Sequence, residues 1–145
     1  MTTALQTDRI AFLITKLHRF VHNSLEETLQ PHGISVEQWR VLERLSAGNG
    51  FSMGELAAEV LMNHPALTKM IDRMVANGLV HRAPDPADQR RVLVYAADRG
   101  VALHRKLQPS VADQEAKLRD MLGSDTAEQI DGMLTEASRA ILENA

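Results

Sequence analysis

The chain of 145 residues contains no cysteine, which excludes disulfide bonds, thiol redox sensors and metal sites built on cysteine. Aromatic residues make up only 3% of the sequence, too few for a platform that stacks the bases of single-stranded nucleic acid. No apolar run approaches the ~20 residues of a membrane-spanning helix. These absences leave a globular chain whose function must follow from its charged and apolar patterns.

Motifs that would indicate an enzyme are missing as well. The chain has no glycine-rich phosphate loop, no His-Glu-x-x-His metal motif and no Gly-x-Ser-x-Gly turn. Residues 1–8 lack the basic start and apolar run of a secretory signal. We therefore expect a cytoplasmic protein of one domain that is not an enzyme and uses no cofactor.

The formal net charge of −3 is unevenly distributed along the chain. Residues 61–110 hold eight lysines and arginines and four aspartates, a local charge of +4. Residues 1–60 carry −2 and residues 111–145 carry −5. Because a local basic patch, rather than the total charge, attracts phosphates, the middle of the chain is the part suited to nucleic acid.

Two capping boxes mark helix starts on the N-terminal side of this basic segment. Ser35 with Gln38, and Ser52 with Glu55, have the spacing at which each side chain bonds the backbone N–H of the other residue. The first box begins a helix that ends near Ser46, and the second begins a short helix. A glycine-containing loop separates the two.

A further helix is predicted directly after a tight turn. Asn63 or His64 caps it, Pro65 is tolerated in its first turn, and Gly78 ends it in a left-handed conformation. Its buried face has apolar residues spaced by three and four, namely Leu67, Ile71, Met74 and Val75.

A β-hairpin follows at once. Its tip spans residues 85–91, where Asp85-Pro86 favours a turn, and Arg90 and Arg91 lie on the returning strand near the tip. The alternating residues of the two strands are Val80, Arg82, Val92 and Val94.

Helix, turn, helix and hairpin in this order predict a winged helix-turn-helix, mainly α with a small β-hairpin wing. The second helix of such a unit enters a DNA major groove, and a wing arginine suits the narrow minor groove. On the exposed side of that helix His64, Thr68 and Lys69 suit base edges and phosphates. Arg90 is the strongest single candidate, whereas strand alternation could point Arg91 the other way.

Several segments resemble the MarR family of bacterial transcription regulators (multiple-antibiotic-resistance repressors). They are residues 68–80, Asp88-Gln89-Arg90, residues 92–94 and Asp98-Arg99-Gly100, preceded by residues 33–42. The resemblance covers nearly the whole chain, and the order and spacing of these segments make it specific. One departure is that two alanines precede Asp98 where the family often has Leu-Thr, although Asp98 can still cap the following helix.

The resemblance implies a repressor that binds a double-stranded operator. It also suggests that Arg73 and Asp88 pair across the base of the wing. The full set of expected DNA-binding residues is His64, Pro65, Thr68, Lys69, Arg73, Asp88, Arg90 and Arg91.

Three helices with apolar faces lie at the two ends of the chain, one over residues 8–30, a long one after Gly100 and a last one after residue 125. They exceed what a winged helix needs, so we predict that they pair with a second chain, as the resemblance also implies. The expected organisation is a single MarR-type domain, with residues 8–31 and 100–145 for dimerisation and residues 35–98 for DNA. The alternative is a monomer whose end helices pack on its own wing domain.

The resemblance further implies a pocket for a small aromatic acid or phenol. The residues expected to line it are His18, His22, Trp39, Arg40 and His104. The competing interpretation of Trp39 is a core tryptophan that packs on Ile34.

A metal site is the alternative use of His18 and His22, which are four residues apart on one helix face. A third ligand could then be His104, Glu26 or His32, giving a metal-responsive regulator. The prediction we adopt is that no metal is bound, because such pairs are usually surface or interface residues.

The remaining alternative function is a winged-helix adaptor that binds protein instead of DNA. The basic wing tip argues against it. A steep salt dependence of duplex binding would distinguish the two, because only phosphate contacts release counterions.

Overall fold

The computed structural model describes residues 7–144 and confirms a mainly helical fold with a β-hairpin. The helices are α1 (Arg9–Leu29), α2 (Val36–Leu45), α3 (Met53–Val60), α4 (His64–Ala76), α5 (Asp98–Leu122) and α6 (Ser124–Asn144), and the strands are β1 (Val80–Pro84) and β2 (Val92–Ala96). A short 3₁₀ helix, Gln30–His32, follows α1. Residues 1–6, within the segment predicted to lack a secretory signal, lie outside the described range. None of the described helices is long and apolar enough to cross a membrane.

Both predicted capping boxes are confirmed. The Ser35 hydroxyl accepts from the Gln38 N–H at 3.1 Å, and the Gln38 side chain accepts from the Ser35 N–H at 2.9 Å. The same exchange joins Ser52 and Glu55, at 3.2 Å in each direction. These reciprocal bonds satisfy backbone donors that have no partner inside the helix, so they fix where α2 and α3 begin.

Helices α2, α3 and α4 and the hairpin enclose an apolar core. Its side chains come from each of these elements, from the end of α1 and from the first half of α5, so the core holds the helix-turn-helix against the wing. The largest fully buried members are Leu29, Val36, Val41, Leu42, Leu45, Leu56, Val60, Leu67, Ile71, Met74, Val80 and Leu107.

Helix α4 ends as predicted at Gly78, which has a φ of +72°. The Gly78 N–H donates to the Val75 carbonyl at 3.0 Å, and the Leu79 N–H donates to the Met74 carbonyl at 2.9 Å. These two bonds form a Schellman motif, which a residue with a Cβ would strain at the left-handed position. The chain therefore leaves α4 in a fixed direction toward β1.

The start of α5 lies against this turn. The Ala97 N–H donates to the Leu79 carbonyl at 3.0 Å. Gly100 is buried, and a Cβ at this position would overlap the same carbonyl oxygen. Glycine is thus required here because two backbones touch, whereas at Gly78 it is required by a dihedral angle.

Strands β1 and β2 are antiparallel, with Val80 opposite Ala96 and Pro84 opposite Val92. The second strand also forms a bridge with Phe51, which exchanges two backbone hydrogen bonds with Val94 at 2.8 and 3.1 Å. The wing is therefore anchored on its other edge to the residue that precedes the capping box of α3.

Three details of the sequence prediction are wrong. Val75 is 37% exposed, because the core contacts of α4 stop at Met74. Val92 is 53% exposed while Leu93 is buried, because β2 buries two consecutive residues, Leu93 and Val94, instead of alternating. Asp98 is the first residue of α5 rather than its cap.

The chain divides into two compact units, one ending at Pro109 and the other beginning at Ser110. Pro109 lies inside α5, so this helix belongs to both units. In the first unit α1 leaves a row of large apolar side chains exposed by 38–76%: Ile10, Phe12, Leu13, Ile14, Leu17, Phe20 and Val21. In the second unit α6 does the same with Met133, Leu134, Ile141 and Leu142, exposed by 55–76%.

Candidate DNA interface

Five of the eight residues predicted to contact DNA lie on the solvent-facing side of α4. His64, Pro65, Lys69 and Arg73 are exposed, and Thr68 is half-buried. The Thr68 hydroxyl donates to the His64 carbonyl at 3.0 Å, which leaves its oxygen available as an acceptor. These side chains lie opposite the buried side of the helix, so α4 can enter a groove without disturbing the core.

Asn63 is the residue that caps α4, not His64. Its side-chain oxygen accepts from the Ala66 N–H at 2.9 Å. Pro65, in the first turn, has no N–H that would need a partner. This cap leaves the His64 imidazole free of a structural role, so that it can serve as a contact on the exposed face.

The wing tip is closed by its own hydrogen bonds. The Asp85 N–H donates to the Arg91 carbonyl at 2.8 Å, and the Arg91 N–H donates to the Asp88 carbonyl at 2.9 Å. The Asp85 carboxylate accepts from the Ala87 N–H at 2.9 Å, the local bond that makes Asp-Pro a turn signal. Arg90 and Arg91 therefore lie in this loop, before β2, rather than on the strand itself as predicted.

Arg90 projects from the tip with its side chain 92% exposed. The Asp88 Oδ1 accepts from both the Arg90 backbone N–H and the Arg90 Nε, each at 3.1 Å. The hydrogen bond from the Arg90 side chain is the main reason that the pKa of Asp88 is lowered. Asp88 thus holds the stem of the arginine, while the two terminal nitrogens of the guanidinium remain available to a ligand.

Arg91, the next residue, points toward the body of the protein. Its Nη2 lies 2.8 Å from the Glu55 Oε1 on α3, and its Nη1 lies 3.7 Å from the Asp85 Oδ2. The hydrogen bond from Arg91 lowers the pKa of Glu55, and the same bond raises the pKa of Arg91. The two adjacent arginines therefore have opposite environments, as strand alternation had left open.

The predicted pairing of Arg73 with Asp88 is wrong. Asp88 is bound to Arg90, and no ion pair of Arg73 occurs among residues 7–144. The contact between α4 and the wing is instead made by Asp72 and Arg82, with Oδ1 and Nη2 2.6 Å apart. Arg82 thereby neutralises an acid on the exposed face of α4 and leaves Arg73 unpaired.

A cleft of about 340 Å³ lies on the first unit, and two of the five residues expected to bind a ligand line it. Those two are His18 and Arg40. The other lining residues are Glu43, Arg44, Glu59 and Leu61. Arg44 is bound to Glu59 at 3.2 Å, so Arg40 is the lining guanidinium with no carboxylate partner in the described chain. The cleft is open to solvent and carries both signs of charge.

Trp39 and His104 are not among the residues that line this cleft. Their rings stack on each other with centroids 4.9 Å apart, and each residue is more than 90% buried. The His104 Nε2 lies 2.5 Å from the Glu43 Oε2. Trp39 is therefore a core residue, since His104 covers the ring face that was expected to meet a ligand.

His22 lies beside His18, with ring centroids 5.4 Å apart, and its Nδ1 is buried without a hydrogen-bond partner. The two imidazoles have no third metal-ligating side chain beside them: across the described range, no group of three His, Asp or Glu residues could hold a metal ion. The arrangement gives no support to the metal-responsive alternative.

Three contacts that organise the interface were not predicted: Arg82 with Asp72, Arg91 with Glu55, and Phe51 with β2. The first two join residues 10 and 36 positions apart. No sequence spacing identifies such a pair, because each charged residue has several candidate partners. Phe51 offered no signal of strand pairing, since an apolar residue before a capping box is expected to pack on the helix as a hydrophobic staple.

The fold and this arrangement define the class of winged helix-turn-helix proteins, in which one helix and an adjacent wing face DNA. Residues 32–91 match the model of the MarR family. The chain is 34% identical over 104 residues to the HTH-type transcriptional regulator YsmB of Bacillus subtilis (strain 168). The aligned residues cover 72% of this chain and 69% of YsmB. It is also 30% identical over 119 residues to the multiple antibiotic resistance protein MarR of Escherichia coli (strain K12). That alignment covers 82% of this chain and 75% of MarR.

A solved structure of a mutant E. coli MarR complexed with operator DNA has the same fold. Superposition of the two structures gives a TM-score of 0.83 at 27% sequence identity and covers 94% of this chain and 99% of the MarR chain. The protein belongs to the MarR family of DNA-binding transcriptional regulators, as the sequence resemblance indicated.

Proposed function

We propose that the protein is a repressor that binds a near-palindromic operator as a homodimer and is released by a small aromatic acid or phenol. The observation that carries this proposal is the exposed basic side of α4 beside a closed wing tip from which Arg90 extends. A helix face with His64, Lys69 and Arg73 can contact base edges and phosphates in a major groove. Arg90, exposed over 92% of its side chain, suits the adjacent minor groove.

We propose different roles for the expected DNA-binding residues, according to their contacts in the described chain. His64, Thr68, Lys69, Arg73 and Arg90 are available to DNA. Pro65 shapes the first turn of α4, Asp88 holds Arg90, and Arg91 is bound within the protein. Residues 35–98 then form the DNA-binding region.

Homodimer formation is supported by the apolar faces of α1 and α6. A soluble monomer rarely exposes so many large apolar side chains in rows, and such patches mark interaction sites. We assign residues 8–31 and 100–145 to dimerisation. In a two-fold dimer the two α4 helices reach major grooves about one turn apart, roughly 34 Å, and a near-palindromic operator follows. A dimer on a promoter represses by occupying the site that polymerase needs.

The cleft beside His18 and Arg40 is our candidate for the effector site. An unpaired guanidinium can bind a carboxylate with two parallel hydrogen bonds, and the imidazole can add a third. The operator favours one spacing of the two α4 helices in the dimer, and the ligand favours a different spacing. Binding of the ligand therefore lowers the affinity for DNA, and binding of DNA lowers the affinity for the ligand. Within this proposal the ligand contacts are His18 and Arg40, because Trp39 and His104 stack on each other and do not line the cleft.

The deciding experiment selects bound duplexes from a random library and then titrates salt on the selected sequence. We expect a near-palindrome and an affinity that falls steeply with salt, because neutralised phosphates release counterions. Arg90→Ala should weaken binding roughly ten- to a hundredfold, the range for one guanidinium contact to DNA. Arg139→Ala, which removes an exposed arginine from α6, is the matched control.

Two outcomes would contradict the proposal. No enrichment, or uniform weak binding, would favour the protein-binding adaptor. Equal affinities of the Arg90→Ala variant and the unaltered protein at fixed salt would remove Arg90 from the interface. Addition of benzoate or a simple phenol to the same titration tests release: a compound that binds the protein without changing the DNA affinity would contradict the effector role.

A further inference from the structure

Arg91 joins two parts of the proposed DNA-binding region that are separate in sequence, the wing tip and the start of α3. Its guanidinium contacts Glu55 in the first turn of α3 at 2.8 Å and Asp85 at the other end of the tip loop at 3.7 Å. The Asp85 side chain is only 14% exposed, so this acid faces the protein rather than solvent. The wing tip and the start of the helix-turn-helix are thereby connected through one side chain.

Glu55 has two roles in this contact. One carboxylate oxygen accepts from the Ser52 N–H in the capping box, and the other accepts from Arg91. A carboxylate already fixed by a cap loses little further freedom when it binds an arginine, so the wing is attached to a rigid point of α3. The hydrogen bond from Arg91 is also the main cause of the lowered pKa of Glu55.

The backbone of Arg91 fixes the loop that presents Arg90. Its carbonyl accepts from the Asp85 N–H, and its N–H donates to the Asp88 carbonyl. Asp88 in turn holds the Nε of Arg90. When Glu55 holds the Arg91 side chain, the direction of Arg90 relative to α3 is therefore set through a chain of hydrogen bonds.

We propose that Arg91 is a positioning residue that holds the wing against α3 through its ion pairs with Glu55 and Asp85, a contact that we call the lock. The lock allows Arg90 and α4 to reach their DNA grooves together. This inference rests on the proposed function. It reassigns Arg91 from a residue that contacts DNA to one that acts through Arg90. It also gives an acidic residue, Glu55, a favourable effect on the binding of a polyanion.

The proposed role of Arg91 and simple electrostatics predict opposite changes in DNA affinity when Glu55 is replaced by glutamine. Removal of a carboxylate makes the protein more positive and frees Arg91 for a phosphate, so a purely electrostatic account predicts tighter binding for Glu55→Gln. The lock predicts weaker binding. Glutamine should retain the helix cap, because Gln38 completes the capping box of α2 in this same chain.

The test measures the affinity of the full-length protein for the selected duplex at fixed salt. We expect Glu55→Gln to weaken binding about two- to fivefold, the range of one exposed ion pair, with an unchanged salt dependence. In an Arg91→Gln background the Glu55 change should have no further effect. Glu136→Gln, which removes a carboxylate from an exposed Arg–Glu pair in α6, is the control and should bind as the unaltered protein does.

Arg91→Lys supplies a second test that touches no helix cap. Lysine keeps the charge for a phosphate but lacks the forked group that reaches both Glu55 and Asp85. The lock therefore predicts a loss comparable to that of Glu55→Gln, and melting curves of both variants verify that the fold is intact.

The experiments distinguish a failure of the proposed function from a failure of the lock alone. If the unaltered protein binds no selected duplex, the proposed function fails and the lock with it. If the protein binds but Glu55→Gln binds equally well or more tightly, or is weakened as much without Arg91, the lock alone is refuted.

Discussion

Helices α4 and α1 have the same kind of apolar pattern and opposite surroundings. Leu67, Ile71 and Met74 on α4 are completely buried by the rest of the chain. On α1, seven large apolar side chains remain exposed by 38–76%, and only Leu29 at its end is buried. An amphipathic pattern therefore predicts that a face will be covered, but it does not say whether the covering residues belong to the same chain.

We propose that this difference divides the apolar residues into those that stabilise the fold, on α4, and those that pair with a second chain, on α1. The buried α4 face stabilises the fold and holds the residues that we propose to bind DNA on the other side of the helix. The large apolar residues of the α1 face are exposed in the described chain, and we propose that association with a second chain covers them. The following predictions test this division, from the largest expected effect to the smallest.

Leu67→Ala should strongly destabilise the protomer. The side chain is 0% exposed, and replacement of a buried leucine leaves a cavity that lowers the free energy of unfolding by about 2–5 kcal/mol. Denaturant unfolding at several protein concentrations measures this loss. A loss that disappears at high protein concentration would show that the α4 face, too, depends on a second chain.

Leu17→Glu should convert a two-chain species into single chains and weaken operator binding. Leu17 is 55% exposed on α1, and a carboxylate buried at an interface would lack a partner. Light scattering gives the mass of each variant. Thr15→Glu places the same charge on the opposite side of the helix and should leave the mass unchanged. An unaltered protein that is already monomeric would refute the division.

Leu61→Gly should stabilise the protein slightly without changing its assembly. Leu61 is 86% exposed and left-handed, with a φ of +58°, in the turn between α3 and α4. Relief of this strain exceeds the added flexibility of glycine and should raise the free energy of unfolding by up to about 1 kcal/mol. Leu61→Ala removes the same apolar side chain but keeps the strain, so it should give no gain. Equal gains in both variants would attribute the effect to the exposed leucine itself.

The sequence predicted those features that depend on neighbouring residues. Ser52 with Glu55 and the turn at Gly78 appeared where expected, because caps and turns are set by bonds within a few residues. The paired partners of Arg82 and Arg91 were missed, and Arg73 was assigned the wrong one, because these contacts depend on how α4, α3 and the wing pack in three dimensions.

The stacking of Trp39 on His104 was not predicted, for the same reason. Trp39 and His104 are 65 positions apart, and nothing in their local sequence shows that one ring covers the other. The burial of β2 was mispredicted because Leu93 and Val94, which point to opposite faces of the strand, are both buried, so that exposed and buried residues do not alternate.

The contact of Gly100 with the Leu79 carbonyl determines how movement could pass through the molecule. Side chains at an interface between helices can change rotamer and absorb a small displacement. Here no side chain intervenes, and the backbone of α5 touches the backbone that terminates α4. We therefore expect a tilt of the first turns of α5 to move the end of α4 with it, because no rotatable side chain separates the two backbones.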